Sequence, residues 1–175
     1  MNNERADTSK DQFEQLVVFQ LADEYYGVDI GAVNTIIRMQ GVTEVPRTPP
    51  FVEGVINLRG SIIPVIDLRK RFALPVTDVT KSSRIVVVEA DGQMIGMIVD
   101  AVAETLRLPT DSIEPPSPVI SSVDAEYLRG IGKQDDRLVI LLDLNKVLTA
   151  KDVAALNKLE KKTNKAQEEK TAIAA

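Results

Sequence analysis

The sequence predicts a mainly β protein built from two copies of a small five-stranded barrel that share a core. One observation is local. Short apolar, β-branched segments recur with turn signals about every 8–12 residues, the spacing of small barrels. Another is an internal repeat: moving residues 17–33 on by 69 gives 86–102 without a gap. In that register Val17-Val18-Phe19 meets Val86-Val87-Val88, Gly27 meets Gly96, and Ala32-Val33 meets Ala101-Val102. The third is a hairpin, residues 54–68, that returns 76 residues later as 130–144, with Gly54 on Gly130 and Asp67-Leu68 on Asp143-Leu144. Seven residues are gained between the two registers, after Pro118. A barrel of about 70 residues buries little surface alone, so the copies are expected to pack on one another.

Residues 1–13 are polar and without periodicity, and read as a flexible lead-in. The first barrel subdomain, 14–80, begins with a strand at 15–21, a turn at Asp23-Glu24 and a strand at 25–30. A helical turn at 31–34 leads into an extended segment at 35–39. Pro46, Pro49 and Pro50 then make a stiff loop that no central strand could hold. The hairpin follows: apolar runs at 55–58 and 62–66 flank Arg59-Gly60, where glycine can take the positive φ of a tight reversal. That places an arginine at the tip. Asp67 is suited to cap a short helix at 68–72, ended before Pro75. The second subdomain, 81–150, repeats this plan, but its hairpin tip is Asp135-Asp136, and Asp143 caps 144–148. The remainder, 151–175, reads as a C-terminal helix through Val153, Leu156 and Leu159, then a charged tail.

The 175 residues are 44% hydrophobic and 27% charged, with net charge −5. The acidic balance and the absence of a dense Lys/Arg block disfavour nucleic acid as a partner. No apolar run approaches a membrane span and no export signal is evident, so direct membrane insertion is not expected and the cytoplasm is the default location. There is no Cys and no His, which removes disulfides, the commonest metal ligands and the commonest general base.

No catalytic constellation emerges. Asp67 and Asp143 could be a carboxylate pair, but each ends a strand and opens a helix, where Asp satisfies orphan N–H groups. Asp135-Asp136 sit where turns place Asp, Lys133 has no activating neighbour, and the glycines form no phosphate loop. The chain therefore reads as a non-enzyme without cofactor or metal. Arg59 has two readings: a solvated turn residue, or a contact residue whose guanidinium fork anchors an interface. Around Val33 to Ile37, alternation leaves Ile36 or Ile37 facing outward, at a seam between barrels or at a partner surface.

Gly54-Val55-Ile56-Asn57-Leu58-Arg59-Gly60 followed by Ile63-Pro64-Val65-Ile66-Asp67-Leu68-Arg69 resembles the signature of the chemotaxis coupling (adaptor) family CheW. Tyr26-Gly27-Val28, 46–51, 96–100 and 127–132 match that family at the right separations, so the likeness covers about 15–148 and makes 14–159 one CheW-like domain. The resemblance implies two SH3-like barrels around a shared core. It implies a non-catalytic adaptor between the cytoplasmic tip of methyl-accepting chemoreceptors and the regulatory domain of the histidine kinase CheA. Such a protein is a monomer alone, forms rings with the kinase, and reaches membrane receptor arrays only through its partners. Carried over by motif, Asn57, Arg59 and Ile62 lie toward the receptor, and Val33, Thr35 and Ile36 toward the kinase, with a second kinase surface at Pro118-Val119. Members of the family often carry Glu where this chain has Thr35. Two other readings stand beside this one. A regulatory module related to CheA or CheV is disfavoured by the opening Met1 and the lack of a receiver or kinase segment. A small-barrel nucleic-acid or ligand-binding protein would want exposed aromatics on a basic face, whereas only 4% of residues are aromatic.

Overall fold

A computed structural model describes residues 12–116 and 123–148, together with Asp152, Ala154, Ala155, Leu156 and Lys158. The first half of the chain supplies β1 (Phe13–Leu21), β2 (Glu24–Asp29), β3 (Val33–Arg38), β4 (Val52–Leu58), β5 (Ser61–Asp67) and helix α1 (Leu68–Arg71). The second supplies β6 (Arg84–Ala90), β7 (Gln93–Val99), β8 (Ala101–Pro109), the two-residue β9 (Ile113–Glu114), β10 (Leu128–Gln134), β11 (Arg137–Leu142) and α2 (Leu144–Val147). The predicted helical turn at 31–34 is a 3-10 turn one residue earlier, Ile30–Ala32, with the Asp29 carboxylate accepting from Gly31 N. Strand β1 begins at Phe13, inside the segment read as a flexible lead-in, because Phe13 pairs with Pro109 and lies under the Arg107 guanidinium, 4.2 Å from its ring centre. Among the described residues no helix is long and apolar enough to cross a membrane.

The duplication is plain in the elements. Strands β1, β2 and β3 recur as β6, β7 and β8, and β4–β5–α1 as β10–β11–α2. Asp67 Oδ1 accepts from Arg69 N at 2.9 Å and Asp143 Oδ1 from Asn145 N at 3.1 Å, so the two aspartates are matching helix caps rather than a catalytic pair. The carboxyl of Asp67 is pushed above its ordinary value of 3.8, first by burial and then by nearby Glu53, against the lowering effect of its backbone bond to Arg69. A raised carboxylate pKa means the folded state binds the proton more tightly than the unfolded one, so ionisation of Asp67 costs stability at neutral pH. Asp67→Asn keeps the capping oxygen and removes the charge. It is expected to melt at or above wild type at pH 7, an advantage that shrinks as pH falls through the raised value toward 3.8. Asp67→Ala, which loses the cap, should cost about 1 kcal/mol in the same melts.

Two expectations require correction. Neither sheet closes into a barrel: the orders are β8-β1-β2-β11-β10-β9 and β3-β6-β7-β5-β4, each with two open edges. Nor do the sheets follow the halves 14–80 and 81–150. The five-stranded sheet holds β3–β7, and the six-stranded sheet joins the β1–β2 hairpin to β8–β11. The copies exchange their first hairpins. β1 pairs antiparallel with β8 while β6 pairs with β3, and β2 runs parallel to β11 while β7 runs parallel to β5. A repeat reveals which segments are alike, and the β-branched edges of either copy offer the same ladder to either hairpin, so their pairing is decided by the whole chain.

Three apolar clusters fill this arrangement. Leu16, Val18, Leu106, Leu108, Val139 and Leu141 occupy the concave side of the six-stranded sheet. Their repeat mates lie on that of the five-stranded sheet, with Ile63, Val65, Ile85 and Val87 buried and Ile37 and Met39 packed beside them. The largest cluster lies between the sheets and draws on both copies, which is the shared core. Within it Phe19, Tyr26, Phe72 and Tyr127 form a ladder of rings 6.1, 6.3 and 5.3 Å apart. Arg71 stands at the pseudo-symmetric centre. Its guanidinium lies over the repeat mates Phe51 and Tyr127, at 4.8 and 5.2 Å, and donates to the Val147 carbonyl at 2.6 Å. Asp100 adds a peripheral tie, accepting both Arg69 Nε at 2.8 Å and the Ala22 amide at 2.8 Å.

Candidate functional site

One end of the five-stranded sheet presents Asn57 and Arg59 of one predicted contact set and Thr35 of the other. The β4–β5 hairpin turns at Arg59-Gly60, where φ is 53° and 86°. Both values lie in the left-handed region that the twist of a two-residue hairpin demands. Glycine adopts it without cost, but an arginine there gives up about 1–2 kcal/mol that Asn or Gly would recover. Asn57 Oδ1 accepts from Gly60 N at 2.9 Å, so Asn57, which is exposed, also braces the turn. Arg59 is exposed and, among the described residues, forms no ion pair. It stands on a rigid tip with its fork unused.

The hairpin borders a groove of about 390 Å³ that is the open mouth of the curled sheet. Thr35 from β3, Arg59, Ser61 and Ile62 from the hairpin, and Gln93 and Met94 from the start of β7 line it. The structure thus brings Thr35, predicted for one partner, beside Arg59, predicted for another. Ile62 is only 3% exposed and belongs to the shared core, so it forms the wall of the groove rather than a free contact. On β3 burial alternates: Val33, Thr35 and Ile37 turn inward, while Asn34, Ile36 and Arg38 face solvent. The candidate set Val33, Thr35 and Ile36 is therefore split across the two faces of an edge strand. Ile36 is the outward apolar residue at 39% exposure, and Val33 packs against the shared core. Pro118 and Val119 lie outside the described residues.

The second copy holds an internal control. Its equivalent mouth, bounded by Glu104, Gln134, Asp135 and Arg137, is also a cavity, of about 430 Å³, with an ion pair among its lining residues. Arg137, the mate of Ser61, forms an ion pair with Glu104, the mate of Thr35, and lies 4.4 Å over the ring of Tyr25, the mate of Met94. With Ser61 and Thr35 at these two positions, the five-stranded sheet lacks that ion pair. Ser61, Gln93 and Met94 were missed by the reading of local motifs. Setting 61 beside 137 and 93 beside 24 in the repeat registers was the signal that could have found them.

A family model of the CheW-like domain matches residues 15–152. The chain belongs to the CheW-like family. The crystal structure of the scaffolding protein TtCheW from Thermoanaerobacter tengcongensis superposes with a TM-score of 0.73 at 45% identity, covering 79% of this chain and 90% of that one. Chemotaxis protein CheW of Treponema pallidum is 35% identical, over 85% of this chain and 90% of its own length. CheW of Helicobacter pylori is 37% identical over 77% and 81%. The two curled sheets with a shared core are thus the SH3-like arrangement of a CheW scaffold, and the chain is a chemotaxis protein of the adaptor class.

Proposed function

We propose that this CheW-like protein is a non-catalytic adaptor coupling chemoreceptors to the histidine kinase CheA in bacterial chemotaxis arrays. The observation that carries the reading is Arg59: a cation with no ion pair among the described residues, in a strained, braced turn beside an open groove, absent from the duplicate hairpin. A side chain kept there against the preference for Asn or Gly is retained for what it contacts. Asn57 and Arg59 face the cytoplasmic tip of the receptor, with Ile62 supporting them from beneath. Ile36, with Val33 and Thr35 on the same strand, faces the regulatory domain of CheA, and Pro118-Val119 forms the second kinase surface that closes rings. The protein works in the cytoplasm as a monomer that joins membrane receptor arrays through these partners, and it needs neither cofactor nor metal. With Thr35 in place of the glutamate frequent in the family, the kinase contact on β3 rests on packing by Ile36 rather than on an ion pair.

Size-exclusion co-elution tests this directly. The protein is expected to elute with the CheA regulatory domain of the same organism and, separately, with a receptor tip fragment. Elution as an unshifted monomer with both at tens of micromolar would defeat the adaptor reading.

A further inference from the structure

We propose that the end of the five-stranded sheet at Arg38 and Arg84 is a docking point for an acidic segment of a protein partner. The segment lays Asp or Glu side chains between the two guanidinium groups and Lys81. The partner approaches along the open edge of β3, so the inference rests on the reading of that edge as the one facing the kinase regulatory domain. It adds the chemistry of what docks there.

The carrying observation is a pair of like charges. In the ladder of β3 on β6, Arg38 stands directly opposite Arg84. Side chains of directly opposed residues leave the same face of a sheet with their Cβ atoms about 5 Å apart, and equal charges there are destabilising. Arg84 Nη1 donates to the Lys81 and Ser83 carbonyls, both at 2.8 Å, which ties the Lys81 loop beside it. Arg38, Lys81 and Arg84 then line one open groove of about 460 Å³ together with Thr80 and Ser83. None of its described lining residues is acidic, and none of the three cations forms an ion pair among the described residues. Three uncompensated cations thus gather on a chain whose net charge is −5.

The second copy shows the same place relieved. The mate of Arg38 is Arg107 and the mate of Arg84 is Gln15, and these two again face each other, in the ladder of β1 on β8. One member of the pair is there a neutral amide. The other is covered, since the Arg107 guanidinium lies 4.2 Å from the ring centre of Phe13. The mate of Phe13 is Ser82, which offers Arg38 no ring. A charge pair that one copy dilutes and the other keeps bare is suited to a carboxylate brought from outside.

The kind of partner follows from the setting. β3 is an edge strand of its sheet, and Arg38 leaves the same outward face as Ile36, the exposed apolar residue two positions back. Residues two apart on a strand lie about 7 Å apart, so a partner seated on Ile36 brings its neighbouring side chains over the arginines. Three cations beside an apolar contact match a short acidic stretch of a folded protein, whereas a nucleic-acid backbone calls for an extended basic track.

Calorimetric titrations with the CheA regulatory domain test the contact. Arg38→Gln removes one of two opposed charges and no ion pair, so it should melt at or above wild type. Its affinity for the domain should fall about tenfold or more, and that of Arg38→Glu further. Added salt should weaken the wild type more than Arg38→Gln. Unchanged affinity in Arg38→Gln, with Ile36→Asp abolishing binding, would overturn the acidic contact while leaving β3 as the docking edge. A second arm does not depend on that docking. Triglutamate with blocked ends is titrated into nitrogen-labelled protein. The Nε resonances of Arg38 and Arg84 should shift saturably, whereas triglutamine should leave them unmoved. Absence of a saturable shift with triglutamate overturns the inference. Inorganic phosphate is the competing probe: saturation of the same resonances at lower concentration than triglutamate would make this a site for phosphate groups and overturn the acidic-segment assignment. Should the domain fail to bind wild type, the docking reading falls and this arm alone judges the site.

Discussion

Gly54→Ala is expected to destabilise the protein by on the order of 4 kcal/mol, a large share of a typical domain's 5–15. Gly54 has φ +144°, where a side chain is strained at any volume, and an added Cβ would sit 2.0 Å from the carbonyl oxygen of Thr43 and 2.7 Å from its carbon. Both are backbone atoms and cannot rotate away. They are held there because Thr43 and Val55 exchange two hydrogen bonds of 2.9 Å, the bridge that closes the Pro loop onto β4. Backbone strain contributes about 1–3 kcal/mol and overpacking a similar amount. The ladder of β4 on β5 slips at this position, so the aim of the whole hairpin depends on it. Gly60→Ala is the control: φ is +86° but the added Cβ meets nothing, and the cost should be only about 1 kcal/mol. Denaturant titrations and thermal melts of the pair check this. A Gly54→Ala protein melting within about 3 °C of wild type would show that Thr43 yields.

Arg59 separates stability from binding. Arg59→Ala keeps a Cβ in the left-handed region and breaks no ion pair among the described residues, so stability should move by no more than about 0.5 kcal/mol. Arg59→Asn should gain about 1 kcal/mol, because Asn tolerates that region better. Both are expected to lose about 2 kcal/mol of affinity for the receptor tip fragment, roughly thirtyfold. Arg59→Glu should lose more, since it sets a repulsive charge where a fork is required. A variant that is more stable and yet weaker in binding is the signature of a residue held for contact. Normal binding by Arg59→Ala in calorimetric titration would remove Arg59 from the site. Arg137→Ala cannot serve as a silent surface control, because Arg137 forms an ion pair with Glu104 and covers Tyr25.

Much of this was written locally. Alternation placed the strands, the Asp residues at 67 and 143 marked helix starts, and Arg59-Gly60 marked a two-residue turn, because each depends on neighbours within a few positions. The two registers of 69 and 76 residues carry the duplication in the sequence itself. Family motifs singled out Asn57, Arg59 and Thr35 as expected contacts, and the structure gathers them at one end of one sheet.

What the tertiary structure alone decided is long-range. The exchange of hairpins between copies could not be read from residues 13–29 and 84–99, since identical β-branched patterns satisfy either partner and the choice is made by the packing of the shared core. Ile62 and Leu138 occupy equivalent places in the repeat, yet one is 3% and the other 41% exposed, because burial depends on what the rest of the chain lays across each hairpin. No local sequence signal marks Gln93, whose side chain folding buries. Its amide has no hydrogen-bond partner among the described residues, and Ile95 stands where Tyr26 serves Glu24 in the other copy. Satisfaction of a buried polar group is a property of its surroundings in space, and no window of the sequence contains them.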